Sequence, residues 1–195
     1  MEGLIALATG LGLATASGLN AYLPLLTIGI FARLGWIELA APFDLLTNVF
    51  VLLIIAALAA LDFVGDKVPA VDSVLHAGGM VISPIAGAIL ALASQGDLAT
   101  INPLLVGAAG LIVAGGTHAA RAAARPVVTA ATGGTANPVV SAVEDGASLG
   151  LSLLAILVPV LAIILVIVLA VVAYRLFRRA AGIWKKRDVS TNGRV

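Results

Sequence analysis

The chain contains no cysteine, only two histidines and few aromatic residues, and only 11% of its 195 residues are charged. Without cysteine there are no disulfides, thiolate metal ligands or cysteine nucleophiles. The scarcity of charge excludes more. Soluble domains carry about 25% charged residues, and a soluble protein of this size could not cover its surface with so few. The formal net charge of +1 points to no nucleic acid or other polyanionic partner. What the chain does have is apolar: 61% hydrophobic residues and a mean hydropathy of +1.14. At about 20 residues per transmembrane helix, the length allows about five to seven spans and no sizeable soluble domain. The expected class is all-α, a polytopic transmembrane helix bundle with some broken or half-length segments. Residues 1–187 are expected to form one integral-membrane domain, with a disordered tail at 188–195.

The first eighteen residues resemble a signal-peptide core, but Glu2 stands where a positive n-region belongs, so they are read as part of the mature fold. Residues 3–32 carry no charge, a run too long for one straight span and short for two. Its middle, Thr15-Ala16-Ser17-Gly18-Leu19-Asn20-Ala21-Tyr22-Leu23-Pro24, marks a break. Either one tilted helix kinks there, or two half-length helices meet at Ser17–Asn20. Arg33 ends the run, and a connection with Trp36, an interfacial aromatic, follows. Further spans are expected at 45–61, at 71–93 where Gly78-Gly79 and Ser83-Pro84 mark a kink or a close helix contact, at 103–117, and at 147–174 with a bend at Pro159. Six basic residues within 175–187 place the C-terminus in the cytoplasm by the positive-inside rule. The first helices carry too little charge to orient. Two competing alignments of the halves hint at an internal repeat, one matching Thr15–Asn20 to Thr132–Asn137. Paired broken helices are the usual pointer to a transporter's central site.

Four groups of residues could carry chemistry. The stretch Leu61–His76 packs Asp62, Asp66, Lys67, Asp72 and His76 between two apolar runs. Asp62 and Asp66, like Asp72 and His76, are spaced to share a helix face. Asp62, Asp66, Asp72 and His76 are candidates for a divalent cation, the one cofactor considered. Asp62, Asp72, His76 and Glu144 are candidates for proton or cation coupling. The alternative is a polar loop in which Asp66 and Lys67 are solvated and Asp72 caps a helix. His118, Arg121 and Arg125 fall at i, i+3 and i+7, one cationic face suited to phosphate or carboxylate. The same face could instead meet lipid headgroups or pair with Asp62, Asp66 or Glu144. Asn20 and Asn137 sit at helix breaks, where an asparagine can cap a half-helix and donate to a solute. They resemble the paired Asn-Pro-Ala motifs of water channels, but that signature is not reproduced twice. Glu144 and Asp145, the fourth group, could lie at the membrane face or in a cavity, with Glu144 the better functional candidate and a helix cap the plainer reading of Asp145. Tyr22 reads as packing more than gating.

Taken together, these motifs resemble the integral-membrane family known as domain of unknown function 4126. The residues that carry the likeness are Ser17-Gly18-Leu19-Asn20-Ala21-Tyr22 and the Asp66-Lys67-x-Pro69-x-x-Asp72-x-x-x-His76 stretch. The arginine helix ending in Arg125-Pro126 and the segment from Asn137 to Asp145 add to it. The likeness spans roughly residues 3–175. It implies a small polytopic protein of a bacterial plasma membrane and brings no activity.

Two functions follow from the residues. The first is a transporter or channel-like permease for a small polar, more anionic than cationic, solute. Asn20, His118, Arg121, Arg125 and Asn137 would bind the solute. The second is a lipid-phosphate-handling protein or membrane-embedded metal-dependent enzyme. Membrane lipid is the expected surrounding, and a homo-oligomer is compatible with it. In either case Asp62, Asp72 and His76 are expected near Arg121, Arg125 and the two asparagine breaks.

Overall fold

The computed structural model describes residues 2–65, 69–95 and 101–168, with Val171, Arg175 and Arg178; side chains at 69–74 and at 76 fall outside that description. Asp66, Lys67, Trp184 and the tail 188–195 lie outside it too. The described residues form helices and connections with no strand, the expected all-α class. The helices are α1 (Glu2–Leu19), α2 (Tyr22–Arg33), α3 (Val49–Gly65), α4 (Pro69–Ala93), α5 (Pro103–Thr132) and α6 (Asn137–Leu157). A short α7 follows at Pro159–Val168, and a 3-10 turn at Phe43–Thr47 precedes α3. Contacts divide the chain into units Met1–Ile163 and Ile164–Val195, and the features below belong to the first.

The core is built around α1. It packs against α4, α5 and α6, and every residue from Gly12 to Gly18 is buried. Its sequence, rich in glycine, alanine, serine and threonine, explains why three neighbours can come so close. A Cβ on Gly10 would lie 3.0 Å from the Ala91 Cα of α4, and one on Gly12 would lie 2.8 Å from the Ala155 Cβ of α6. One on Gly18 would strike Thr117 and the Ala114 carbonyl of α5. Each glycine of this stretch thus admits a different helix. Small residues drive helix association where the surroundings are as apolar as the side chains, because close van der Waals contact is then the main gain. Two threonine hydroxyls bond to their own helices: Thr15 donates to the Leu11 carbonyl at 2.8 Å and the half-buried Thr117 to the Val113 carbonyl at 2.9 Å.

The helices alternate in direction. α2 doubles back along α1, because Ile28 meets Ile5 and Thr9 around one cavity. α3 returns to the level of Asn20 through Asp62. α4 then runs back until its Ala93 carbonyl accepts the Ala40 N–H at 2.9 Å. α5 starts under an Asn102 cap, whose side chain accepts the Leu104 N–H at 2.9 Å, with Pro103 in the first turn. It ends at Gly133 and Gly134, whose φ of 60° and 83° turn the chain into α6.

Several boundaries differ from those read off the sequence. The first apolar run is two helices, and α1 is itself full length at 18 residues while α2 has 12. The span expected at 45–61 lies at Val49–Gly65, because residues 43–47 form the 3-10 turn. α4 is continuous through Gly78-Gly79 and Pro84; of the two readings, a kink or a close helix contact, Gly79 makes the contact, an added Cβ there lying 2.6 Å from His118 Cε1. α5 runs on through the arginine face and Pro126 to Thr132. By contrast, the bend expected at Pro159 is present: α6 ends at Leu157, and Val158 before the proline has φ and ψ of −140° and 68°.

By length and composition, α1, α5 and α6 could each cross a membrane. Shorter apolar helices lie at Tyr22–Arg33, Val49–Gly65, Ala77–Ala93 and Pro159–Val168. Large apolar side chains such as Leu53, Ile54, Val127, Val139 and Val143 are exposed on the outside, an arrangement compatible with a bilayer as solvent.

The tight packing of α1 makes a simple contrast. Gly12→Leu is expected to lower the unfolding temperature of the detergent-purified protein, by overpacking that costs about 1–3 kcal/mol. Gly116→Ala, where nothing lies within 4 Å of an added Cβ, should leave stability level or raise it by up to about 1 kcal/mol. Equal losses in both variants would contradict this account of the core.

Candidate functional site

The break between α1 and α2 is a problem in hydrogen bonding. A helix end exposes carbonyls, and a helix start exposes N–H groups. Here Asn20 and Ala21 between the ends are buried and the ends themselves half-buried, and the groups find partners inside the protein. Asn20, 3% exposed, supplies the second set. Its Oδ1 accepts the N–H groups of Tyr22 at 2.9 Å and Leu23 at 3.1 Å, capping α2. Because those N–H groups can only donate, the amide nitrogen must face the other way. It donates to Asp62 Oδ2 at 3.0 Å and to Asp145 Oδ1 at 2.9 Å. Four hydrogen bonds thus use both ends of one side-chain amide.

The carbonyls at the end of α1 are met from α5 and α6. Arg121 Nη1 donates to the Leu19 carbonyl at 2.6 Å, placing a cation at the negative end of α1. Ser148 Oγ donates to the Ala16 carbonyl at 2.9 Å and lies 3.4 Å from that of Asn20. Arg121 Nε also donates to Glu144 Oε2 at 2.8 Å, and Arg125 Nη2 donates to the same oxygen at 2.6 Å. The side chains of Arg121, Arg125 and Glu144 are 9%, 10% and 15% exposed. Pairs this buried hold mainly because breaking them strands a charge, at about 3–5 kcal/mol.

His118 is buried one turn before Arg121, with Nδ1 3.4 Å from Ser83 Oγ. The Ser83 carbonyl in turn lies 3.3 Å from Ser17 Oγ, a donor on α1. A Cβ on Gly79 would come within 2.6 Å of His118 Cε1. Glycine at that position therefore leaves room for the imidazole ring between α4 and α5.

These groups surround a cavity of about 250 Å³. Asn20, Tyr22, Asp62, Ser83, His118 and Arg121 form its polar wall, and Gly78, Gly79 and Ile82 of α4 much of the rest. Of the residues singled out from the sequence, Asn20, Asp62, His118 and Arg121 therefore share one cavity. Arg125 and Glu144 join it through Arg121. Asn137 does not line it; it begins α6, and its Oδ1 accepts the Thr129 hydroxyl at 3.1 Å. Asp72 and His76 lie in the first eight residues of α4, with side chains outside the described residues, and Asp66 is outside them entirely. Among the described residues, no group of three or more histidine and acidic side chains could hold a metal.

Two participants were not assigned to the site from the sequence. Tyr22 borders the cavity, where packing was expected more than gating. Ser83 was taken only as a helix interruption. Asp145 had two readings, a group in a cavity or a helix cap; it lies inside α6 and accepts from Asn20, so it is not the cap. A signal for Asp145 was present: Ser141, Asp145, Ser148 and Ser152 recur at i, i+4, i+7 and i+11 in an apolar run, a polar stripe along one helix face.

The role of Asn20 predicts a graded loss. Asn102→Ala removes an exposed cap and is expected to cost about 1 kcal/mol. Asn20→Ala removes a cap and also strips two carboxylates of a donor, for a total of about 2–4 kcal/mol. Thermal unfolding of the two variants side by side checks the order.

A comparison with curated proteins and one with solved structures each return no significant match. The family model described as Domain of unknown function (DUF4126) matches residues 7–179. Its span covers nearly the whole chain, from the second turn of α1 past the end of α7, and the chain belongs to that family.

Proposed function

We propose that the protein is a membrane transporter or channel-like permease for a small anionic solute, bound in the cavity beside the α1–α2 break. The observation that carries this reading is the convergence of a helix start, Arg121 and His118 on one cavity. α2 begins there with the positive end of its dipole, and a guanidinium stands beside it. The size fits a small solute, since about 250 Å³ falls below the roughly 300–1,000 Å³ of typical small-molecule pockets. The depth fits transport. Arg121 lies about 27 Å from one end of α5 and about 17 Å from the other at 1.5 Å per residue. A hydrocarbon core is about 30 Å thick, so an α5 that spans it carries this charge well inside. Charges at such depth are costly and mark solute or ion pathways, and broken helices bring backbone dipoles to the same level.

Asp62 on the cavity wall and Glu144 on the two arginines would couple the solute to protons or a cation, with Asp72 and His76 of α4 in the same role. The protein would sit in a bacterial plasma membrane with its basic C-terminus in the cytoplasm. Reconstituted vesicles test the reading with a panel of small inorganic and carboxylate anions. Uptake of at least one is expected, falling at least tenfold in Arg121→Ala. Gly78→Leu serves as a second variant, because a Cβ there meets only Ile82, at 3.8 Å, and the added side chain would occlude the cavity without removing a charged group. It should block uptake while the protein still unfolds cooperatively. Absence of uptake for the whole panel, or unaltered uptake in both variants, would count against transport.

A further inference from the structure

A second cavity, of about 290 Å³, lies at the opposite end of α1. Ile5 and Thr9 of α1, Ile28 of α2, Ser94 just after α4 and Ile156 of α6 surround it. The exposed Glu2 and Glu38 border it. From Thr9 to Asn20 the rise along α1 is about 17 Å. Between these levels the packing is closed. Leu13 and Leu90 are fully buried, as is Ile28 at the inner wall of the second cavity.

Two features connect the cavities across this layer. One is α1 itself, which lines both. The other is the polar stripe of α6. Asp145 holds Asn20 at the first cavity, Ser148 and Ser152 follow fully buried, and one turn later Ile156 lines the second cavity. Ser152 Oγ donates to the Ser148 carbonyl at 2.7 Å, so the stripe is satisfied in this state while keeping hydroxyls in an otherwise apolar layer.

The surface level of this second end is also marked. Trp36 is 66% exposed and meets Phe31 edge to face, with ring centroids 5.2 Å apart. An exposed tryptophan two residues from Glu38 suits the water–membrane boundary.

We infer that the second cavity is the opposite mouth of the pathway, closed from the first by the Leu13–Ile28–Leu90 layer. This rests on the transport reading above. The two mouths differ in charge. Arg121 and Asp62 both border the first, a cation and an acid together, whereas Glu2 and Glu38, with no basic residue among the described lining, make the second electronegative. The second mouth therefore favours entry of the coupling proton or cation.

The absence of native cysteine allows single cysteines to test this without any solute. Gly78→Cys reports on the first cavity and Ser94→Cys on the second. In vesicles of uniform orientation, an impermeant maleimide should label the two from opposite faces. Adding Ile28→Ala should open the layer and let Gly78→Cys react from the Ser94 side as well. At Ser94→Cys, a cationic methanethiosulfonate should react several-fold faster than an anionic one, and Glu2→Gln with Glu38→Gln should bring the ratio close to one. Labelling of both cysteines from one face, an unchanged pattern with Ile28→Ala, or a ratio insensitive to the two glutamates would overturn the inference. If labelling behaves as expected while no anion is carried, the two-mouthed architecture stands and the transport reading fails.

Discussion

Everything in the site depends on one constraint: the backbone of a buried helix break must be hydrogen-bonded. Ending α1 at Leu19 and starting α2 at Tyr22 leaves carbonyls and N–H groups beyond the helical ladder that must find other partners. The chain answers with Asn20 of the break itself and with side chains from three other helices, α3, α5 and α6. Asn20 caps α2, Arg121 and Ser148 meet the carbonyls of α1, and Asp62 and Asp145 hold the asparagine in place. The charges are therefore not an addition to a finished fold. They are what allows the fold to contain a break, and the break in turn brings a helix dipole beside them.

Such an arrangement works only if α1 is packed tightly enough to keep the groups in register. Hydrogen bonds weaken sharply beyond about 3.2 Å, so small displacements of α5 or α6 would disconnect the network. Glycines at 10, 12 and 18 bring three helices against α1 at van der Waals contact. Gly79 does the same for the His118 ring. Small residues thus do two things at once: they supply the packing that holds the helices together, and they set the distances at which the polar groups meet.

This coupling between packing and polarity explains how much of the site could be read in advance. Asn20, Asp62, His118 and Arg121 stood out because a polar residue in an apolar run is conspicuous. The α1–α2 break was legible for the same reason. Asp145 and Ser83 were harder. An acid beside Glu144 near an expected helix start reads naturally as a cap, and a serine before proline reads as an interruption. Both readings were local, whereas the partners, Asn20 and His118, are 125 and 35 residues away. Asn137 shows the converse. It has the composition and setting of Asn20, but gently exposed glycines with positive φ make that turn, so no buried break requires its amide.

By itself the sequence determined the class of structure, since too few charges and long apolar runs leave a helical bundle suited to a bilayer as the stable solution. It also determined the chemical types present at the site. Only the tertiary structure decided which acid meets which base. Helical periodicity assigns residues to faces of one helix, but it is silent on which neighbour each face meets. That choice was made by steric fit along α1, where each glycine accepts one particular helix and brings its polar side chains to a fixed depth.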